Sequence, residues 1–147
     1  GHWSAGRYFT TFNDYHFNVD GDGEIIYTRP LDEVPKATWH RNTGSIAIAL
    51  CCCYNARPND LGEYPPTAAQ IETLAKMFAV IAEVFDNPID REHFMTHGEA
   101  ANDDGYGLYS GEPDCRWDLE QLCNGDEIGT GGDIIRGKAQ WYLENGV

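Results

Sequence analysis

Apolar residues recur at Ile71, Leu74, Ala75, Phe78, Ile81, Ala82 and Phe85. This spacing predicts one amphipathic helix from about Thr67 to Phe85. Thr67 can cap its start, and Gln70, three residues on, completes a capping box. Asp86-Asn87-Pro88 ends it. Elsewhere the period changes to two. Tyr15 to Val19 alternates, meets Asp20-Gly21-Asp22-Gly23, and is followed by Glu24-Ile25-Ile26-Tyr27, which predicts a strand, a tight turn and a second strand. Ser45 to Tyr54 is a continuous apolar run, as in a central strand buried on both faces.

Phe94 to His97 is short and apolar and predicts a strand end that delivers His97. Gly98 to Pro113 has loop composition. Asp118 to Leu122 predicts a short helix, and Ile134 to Leu143 a terminal one. Together these elements predict an α/β fold in one domain over residues 1–147, with a central mixed β-sheet flanked by helices.

Charge narrows the choice of partners. The 147 residues carry 10 basic and 24 acidic side chains, a net charge of −14. That balance opposes general affinity for nucleic acid backbones or anionic lipid surfaces, though it leaves room for a local basic site. No apolar run approaches the length that spans a bilayer. The expectation is therefore no nucleic acid, no membrane and a monomer. The five cysteines include the consecutive Cys51, Cys52 and Cys53. An odd count with a triplet does not read as a disulfide framework, and core packing in a reducing compartment is the simpler reading. No signal peptide is visible, and the chain opens Gly1-His2-Trp3 without an initiator Met.

Of the five histidines, His2, His16, His40, His93 and His97, none lies in an HExxH motif, and there is no CxxC. Spacing alone does not announce zinc. His16 alternates to the strand face opposite Tyr15, so the two cannot point at one metal. His93 reads as a surface residue. The run Asn102-Asp103-Asp104 reads as a solvated loop.

The order of short motifs is more telling. His2-Trp3-Ser4-Ala5-Gly6 comes first, then Tyr15-His16-Phe17, and then Trp39-His40 before Asn42-Thr43-Gly44-Ser45-Ile46. The capped helix follows. Thr96-His97-Gly98-Glu99 and Arg116-Trp117-Asp118-Leu119 close the series. From His2 to about Leu122 this series resembles the type 2 N-acetylmuramoyl-L-alanine amidases, a family that includes phage lysozyme-type enzymes and is related to peptidoglycan recognition proteins.

The resemblance implies a zinc enzyme with three protein ligands. His2 matches the first ligand, in a His-x-Thr/Ser-Ala motif, although the strand expected before it is missing. His97, with Glu99 two residues later, matches the second. Asp118 matches the third, two residues after a basic residue that here is Arg116 in place of the usual Lys; Asp114 and Cys115 compete with it. Two imidazoles and a carboxylate would leave zinc a position for water, whose pKa would fall toward about 7.

The other roles also follow from the resemblance. Tyr15 matches a tyrosine near the metal that could hold the tetrahedral intermediate. Arg116 would face the developing oxyanion. His40 matches a histidine near the substrate groove, and Trp39 and Asn42 beside it are read as substrate-binding. Where many members carry a basic glutamate, this chain has Ala49, so the base is left among Glu99, Tyr15 and the zinc-bound hydroxide.

The implied activity is hydrolysis of the amide between N-acetylmuramic acid and the L-alanine of the stem peptide. The source would be a phage or prophage endolysin or a bacterial autolysin, made in the cytoplasm and acting on the cell wall. A non-catalytic module of the same fold that binds peptidoglycan is the alternative. A zinc hydrolase acting on another amide, such as that of an anhydromuropeptide, is a weaker one.

Overall fold

The computed structural model describes residues Gly1–Val147. Four short strands, β1 (His2–Trp3), β2 (Phe17–Val19), β3 (Ile25–Tyr27) and β4 (Ile48–Leu50), form one sheet in the order β1-β4-β2-β3. β1 and β2 run parallel to β4 on either side of it, with His2 opposite Ala49 and Val19 opposite Leu50. β3 closes the edge antiparallel to β2. The sheet is mixed, as the sequence predicts.

The hairpin forms because Asp20 organises its own turn. The Asp20 amide donates to Glu24 O at 2.8 Å, and the Gly23 amide donates back to Asp20 O at 2.8 Å. The central run Ser45–Tyr54 pairs as a regular strand only over Ile48–Leu50. Burial nevertheless continues from Ala47 through Cys53, and all three cysteines are free thiols inside the molecule. Regular pairing stops as the chain turns at Cys53, whose φ of 70° is left-handed.

Helix α1 (Ala68–Phe85) has the expected Thr67–Gln70 capping box, and Asp86 closes its other end in a left-handed conformation. It packs on β2, on β4 and on the C-terminal helix α3 (Gly131–Asn145), which is longer than the predicted Ile134–Leu143. Val19, Ile48, Leu50, Leu74, Phe78 and Ile135 make the centre of the core between these layers. No helix is long and apolar enough to cross a membrane.

The predicted strand end at Phe94–His97 is instead a helix start. Thr96 caps α2 (His97–Asp104), and Glu99 reciprocates, so the first part of the predicted loop Gly98–Pro113 is helical. The Thr-x-x-Glu signature was legible in the sequence, but the apolar Phe94-Met95 masks it. No helix forms over Asp118–Leu122. Leu119 takes a left-handed φ of 62°, which interrupts any helical run there.

Gln70 ties α1 to the sheet. Its buried amide donates to Val19 O at 3.1 Å and Cys51 O at 3.0 Å, while its carbonyl accepts from the Thr67 amide at 2.9 Å. Gln70→Met keeps the volume but strands buried polar groups. It should lower unfolding free energy by about 1–3 kcal/mol, as read from urea denaturation. An unchanged midpoint and slope would contradict this role.

Candidate metal centre

Three chain segments meet at one end of the sheet, joined by main-chain bonds. The Gly1 nitrogen donates to Met95 O at 2.9 Å, and the His97 amide donates to Gly1 O at 2.8 Å. The Gly98 amide donates to Asp118 O at 3.1 Å, and the Trp3 amide donates to Asp118 Oδ2 at 3.3 Å. Gly98 is required for this approach. A Cβ there would lie 2.5 Å from Glu120 Cγ and 2.9 Å from Asp118 O. β1, the first turn of α2 and the 117–119 turn thereby deliver His2, His97 and Asp118 to one point.

The three side chains converge and are buried. Nδ1 of His2 lies 3.2 Å from Nδ1 of His97 and 3.7 Å from Oδ2 of Asp118. Nδ1 of His97 lies 3.3 Å from that same oxygen. The three ligand atoms fall within 4.8 Å of one another. Ligands in tetrahedral array at about 2.0–2.1 Å from zinc lie about 3.3 Å apart. The donor set and its spacing therefore fit zinc. Asp114 and Cys115, the sequence alternatives, are not in the cluster.

The outer nitrogens have partners of their own. His2 Nε2 faces Thr38 Oγ1 at 3.4 Å, and His97 Nε2 faces Tyr106 Oη at 3.4 Å. These contacts leave the Nδ1 atom of each ring facing into the cluster. Neither Thr38 nor Tyr106 was picked out for this role from the sequence, because each reaches its histidine across a loop.

Burial and the cluster's own charges set the protonation states. Burial pushes the His2 imidazole down from 6.5 to about 4, against the opposing pull of Asp118. Burial alone would raise Asp118, but hydrogen bonds from His2 and His97 hold it well below the usual carboxylate range. Both therefore favour the unprotonated forms that ligate metal.

Tyr15 sits beside the triad, its ring centre 5.2 Å from that of His2. Burial, then the charge of Asp118, pushes its phenol further above its ordinary value. It stays an O–H donor at neutral pH. Tyr15, Arg116, His97 and Asp118 line one cleft of about 570 Å³ together with Trp3 and Trp117. Arg116 is anchored there by donating to Asp114 O at 2.8 Å. A second cleft of about 650 Å³ opens on the other side of His2 and His97 and runs past Thr38, Asn42, Phe78 and Phe94.

Glu99 is turned elsewhere. Its two oxygens each accept from Arg136 at 2.7 Å, and Oε1 also accepts the Thr96 amide at 2.9 Å. Burial would raise this carboxyl, but the Arg136 guanidinium brings it below its ordinary value. The sequence reading placed Glu99 among the candidate bases; the structure brings it to the back of α2, against α3, and not to the cleft. Arg136 was not anticipated, since nothing in a chain pattern pairs a residue of the terminal helix with one 37 positions earlier.

The groove candidates divide. Trp39 is exposed, stacks on His40 at 3.9 Å and meets Tyr106 edge-on at 5.8 Å. Asn42 is a loop staple: its Oδ1 accepts from the amides of Ala37 and Thr38 at 2.9 and 2.7 Å, which positions Thr38 against His2. His16 is buried between the Ala47 amide and Glu33 O, and His93 pairs with Asp90 at the surface. Neither approaches the triad, as expected.

The family model for N-acetylmuramoyl-L-alanine amidase matches residues 2–108. That span holds His2 and His97 and stops short of Asp118. No curated protein and no solved structure matches the chain.

Two outcomes follow from this geometry. His2 is held neutral by burial, with its folded pKa near 4 below the ordinary 6.5. Between those values the unfolded chain binds the extra proton. The metal-free protein should therefore lose stability as pH falls from about 6.5 to about 4. Urea denaturation at stepped pH reads this, and a flat profile would contradict the burial. Arg136→Met leaves the buried Glu99 carboxylate without its main partner and should cost about 3–5 kcal/mol. The same denaturation assay at pH 7 checks it.

Proposed function

The chain belongs to the N-acetylmuramoyl-L-alanine amidase family, and on that premise we propose that it is a zinc-dependent peptidoglycan hydrolase that cleaves the amide between N-acetylmuramic acid and L-alanine. The observation that carries the zinc reading is the convergence of two imidazole nitrogens and one carboxylate oxygen, all buried, within 4.8 Å. Zinc bound there supplies Lewis-acid polarisation of the amide carbonyl and an acidified water.

The chain's own residues do the rest. Thr38 and Tyr106 hold the two imidazoles in register. Tyr15 donates its hydroxyl hydrogen to the oxygen of the tetrahedral intermediate, a role suited to a phenol that burial keeps protonated. Arg116 adds positive charge on the same side of the cleft. Asp118 is the only carboxylate lining that cleft, so the proton released by the attacking water meets no dedicated glutamate there. Ala49, which stands where many members of the family carry a glutamate, is fully buried in β4. Glu99 serves as a positioning residue: its pairing with Arg136 holds the first turn of α2, and with it His97. Trp39 and His40, stacked and exposed, offer an aromatic face for the sugar side of the substrate. The substrate is the cell wall, and an endolysin or autolysin acting there as a monomer is the role that suits this chemistry.

The test is zinc content and release of stem peptides from purified peptidoglycan. The protein should hold about one zinc per chain, and Asp118→Ala should lose zinc and peptide release together. Tyr15→Phe should keep its zinc and lose about 10²–10³-fold in kcat. A protein without zinc that binds muropeptide and does not cut it would be a recognition module, and the catalytic roles above would fall.

A further inference from the structure

The cleft beside Tyr15 is unusual for its charge. In a chain of net charge −14, Arg29, Arg41, Arg91, Arg136 and Lys138 each lie within 4.0 Å of a carboxylate. Lys36 and Arg116 have no such partner, and both line this cleft. Arg7 has none either; its guanidinium lies over the ring of Tyr54 at 4.5 Å, and Tyr54 is part of the cleft wall. Only Arg57 and Lys76 are left without a carboxylate elsewhere. The single carboxylate of the cleft, Asp118, is buried and turned toward His2 and His97. The solvent-facing charge of the cleft is therefore positive against an acidic whole. Its walls include Trp3, Trp117 and Tyr15, which focus that field.

The backbone of the wall is also unusual in conformation. Ala5, Cys53 and Asn55 all line the cleft and all take left-handed φ values of 57°, 70° and 57°. At Ala5 and Cys53 that conformation carries strain of about 1–3 kcal/mol each, whereas asparagine adopts it readily. The Gly6–Cys53 bridge and the Tyr54 amide donating to Gly6 O at 3.0 Å lock these two segments together. The chain on either side of this lock carries Arg7 and Tyr54. The cleft on the far side of the histidines is the opposite in charge: it carries Asp32, Glu33 and Glu92, and its one cation, Arg41, is paired with Asp104.

We propose that the cleft lined by Lys36 and Tyr54, with Arg7 stacked on Tyr54 beside it, is a carboxylate-binding subsite for the peptide side of the substrate. It would receive free carboxylates of an acidic stem peptide and so orient the substrate, with its peptide leading into this cleft and away from the acidic one. The inference rests on the amidase reading for the identity of the ligand. Arg116 remains with the reacting carbonyl; Lys36 and Arg7 read the peptide.

The experiment titrates the zinc-loaded protein with two probes, followed by calorimetry and by the fluorescence of the cleft tryptophans. One probe is L-alanyl-γ-D-glutamyl-L-lysine with its carboxylates free. The other is the same peptide with the carboxylates amidated. The free acid should bind about tenfold more tightly, and the preference should shrink as salt rises. Lys36→Gln and Arg7→Gln, both at exposed positions, should each cut the preference several-fold with zinc content unchanged. Equal affinity for the two peptides, no measurable binding of either, or a preference that both variants retain would overturn the subsite. Cleavage is scored separately on muramoyl peptides. Retained carboxylate preference without cleavage would remove the amidase reading and leave the subsite. Cleavage of both substrates with equal KM, alongside equal binding, would remove the subsite and leave the amidase.

Discussion

Two imidazole nitrogens stand 3.2 Å apart, out of water, with a carboxylate oxygen 3.3 Å from one of them. The rest of the structure is arranged to hold that juxtaposition. A divalent cation would be held by all three of these groups at once. The three residues come from a strand, a helix start and a turn, so no local propensity brings them together. Main-chain bonds do: Gly1 with Met95 and His97, Gly98 with Asp118, and Trp3 with the Asp118 carboxylate.

Behind the triad lies a second buried charge pair. Glu99 and Arg136 join the first turn of α2 to α3. Close approach is possible because Gly132 has no side chain: a Cβ there would lie 2.6 Å from a Glu99 oxygen. The family match ends at residue 108, before α3 begins. The clamp on the His97 helix is therefore supplied by a part of this chain that the family model does not cover. A buried ion pair is a poor source of net stability, and this one ties the first turn of α2, which carries His97, to α3. Together the triad and the clamp sit between two open clefts whose lining charges differ in sign.

Much of this was legible in the chain. The Thr67–Gln70 capping box and the spacing from Ile71 to Phe85 determine α1 by local rules, and the Asp-Gly turn determines the β2–β3 hairpin. His2, His97 and Asp118 could be named from motif order because their flanking residues carry the pattern. The misreadings share a cause. Phe94 to His97 looked like a strand because two apolar residues precede a histidine, yet Thr96 and Glu99 satisfy each other's main-chain donors and start a helix. Asp118 to Leu122 has helical composition, yet Leu119 takes a left-handed φ there. Glu99 looked like a free acid because its partner lies 37 residues away. Long-range pairing is what a one-dimensional reading cannot supply.

The central claim is that His2, His97 and Asp118 bind one zinc through two ring nitrogens and an oxygen. Zinc-edge X-ray absorption on the purified protein tests it most directly. The account predicts a low-coordinate site of nitrogen and oxygen neighbours at about 2.0–2.1 Å with no sulfur. A sulfur shell at about 2.3 Å would put Cys115 or another cysteine in place of Asp118. A protein that takes up no zinc at all would contradict the account as a whole.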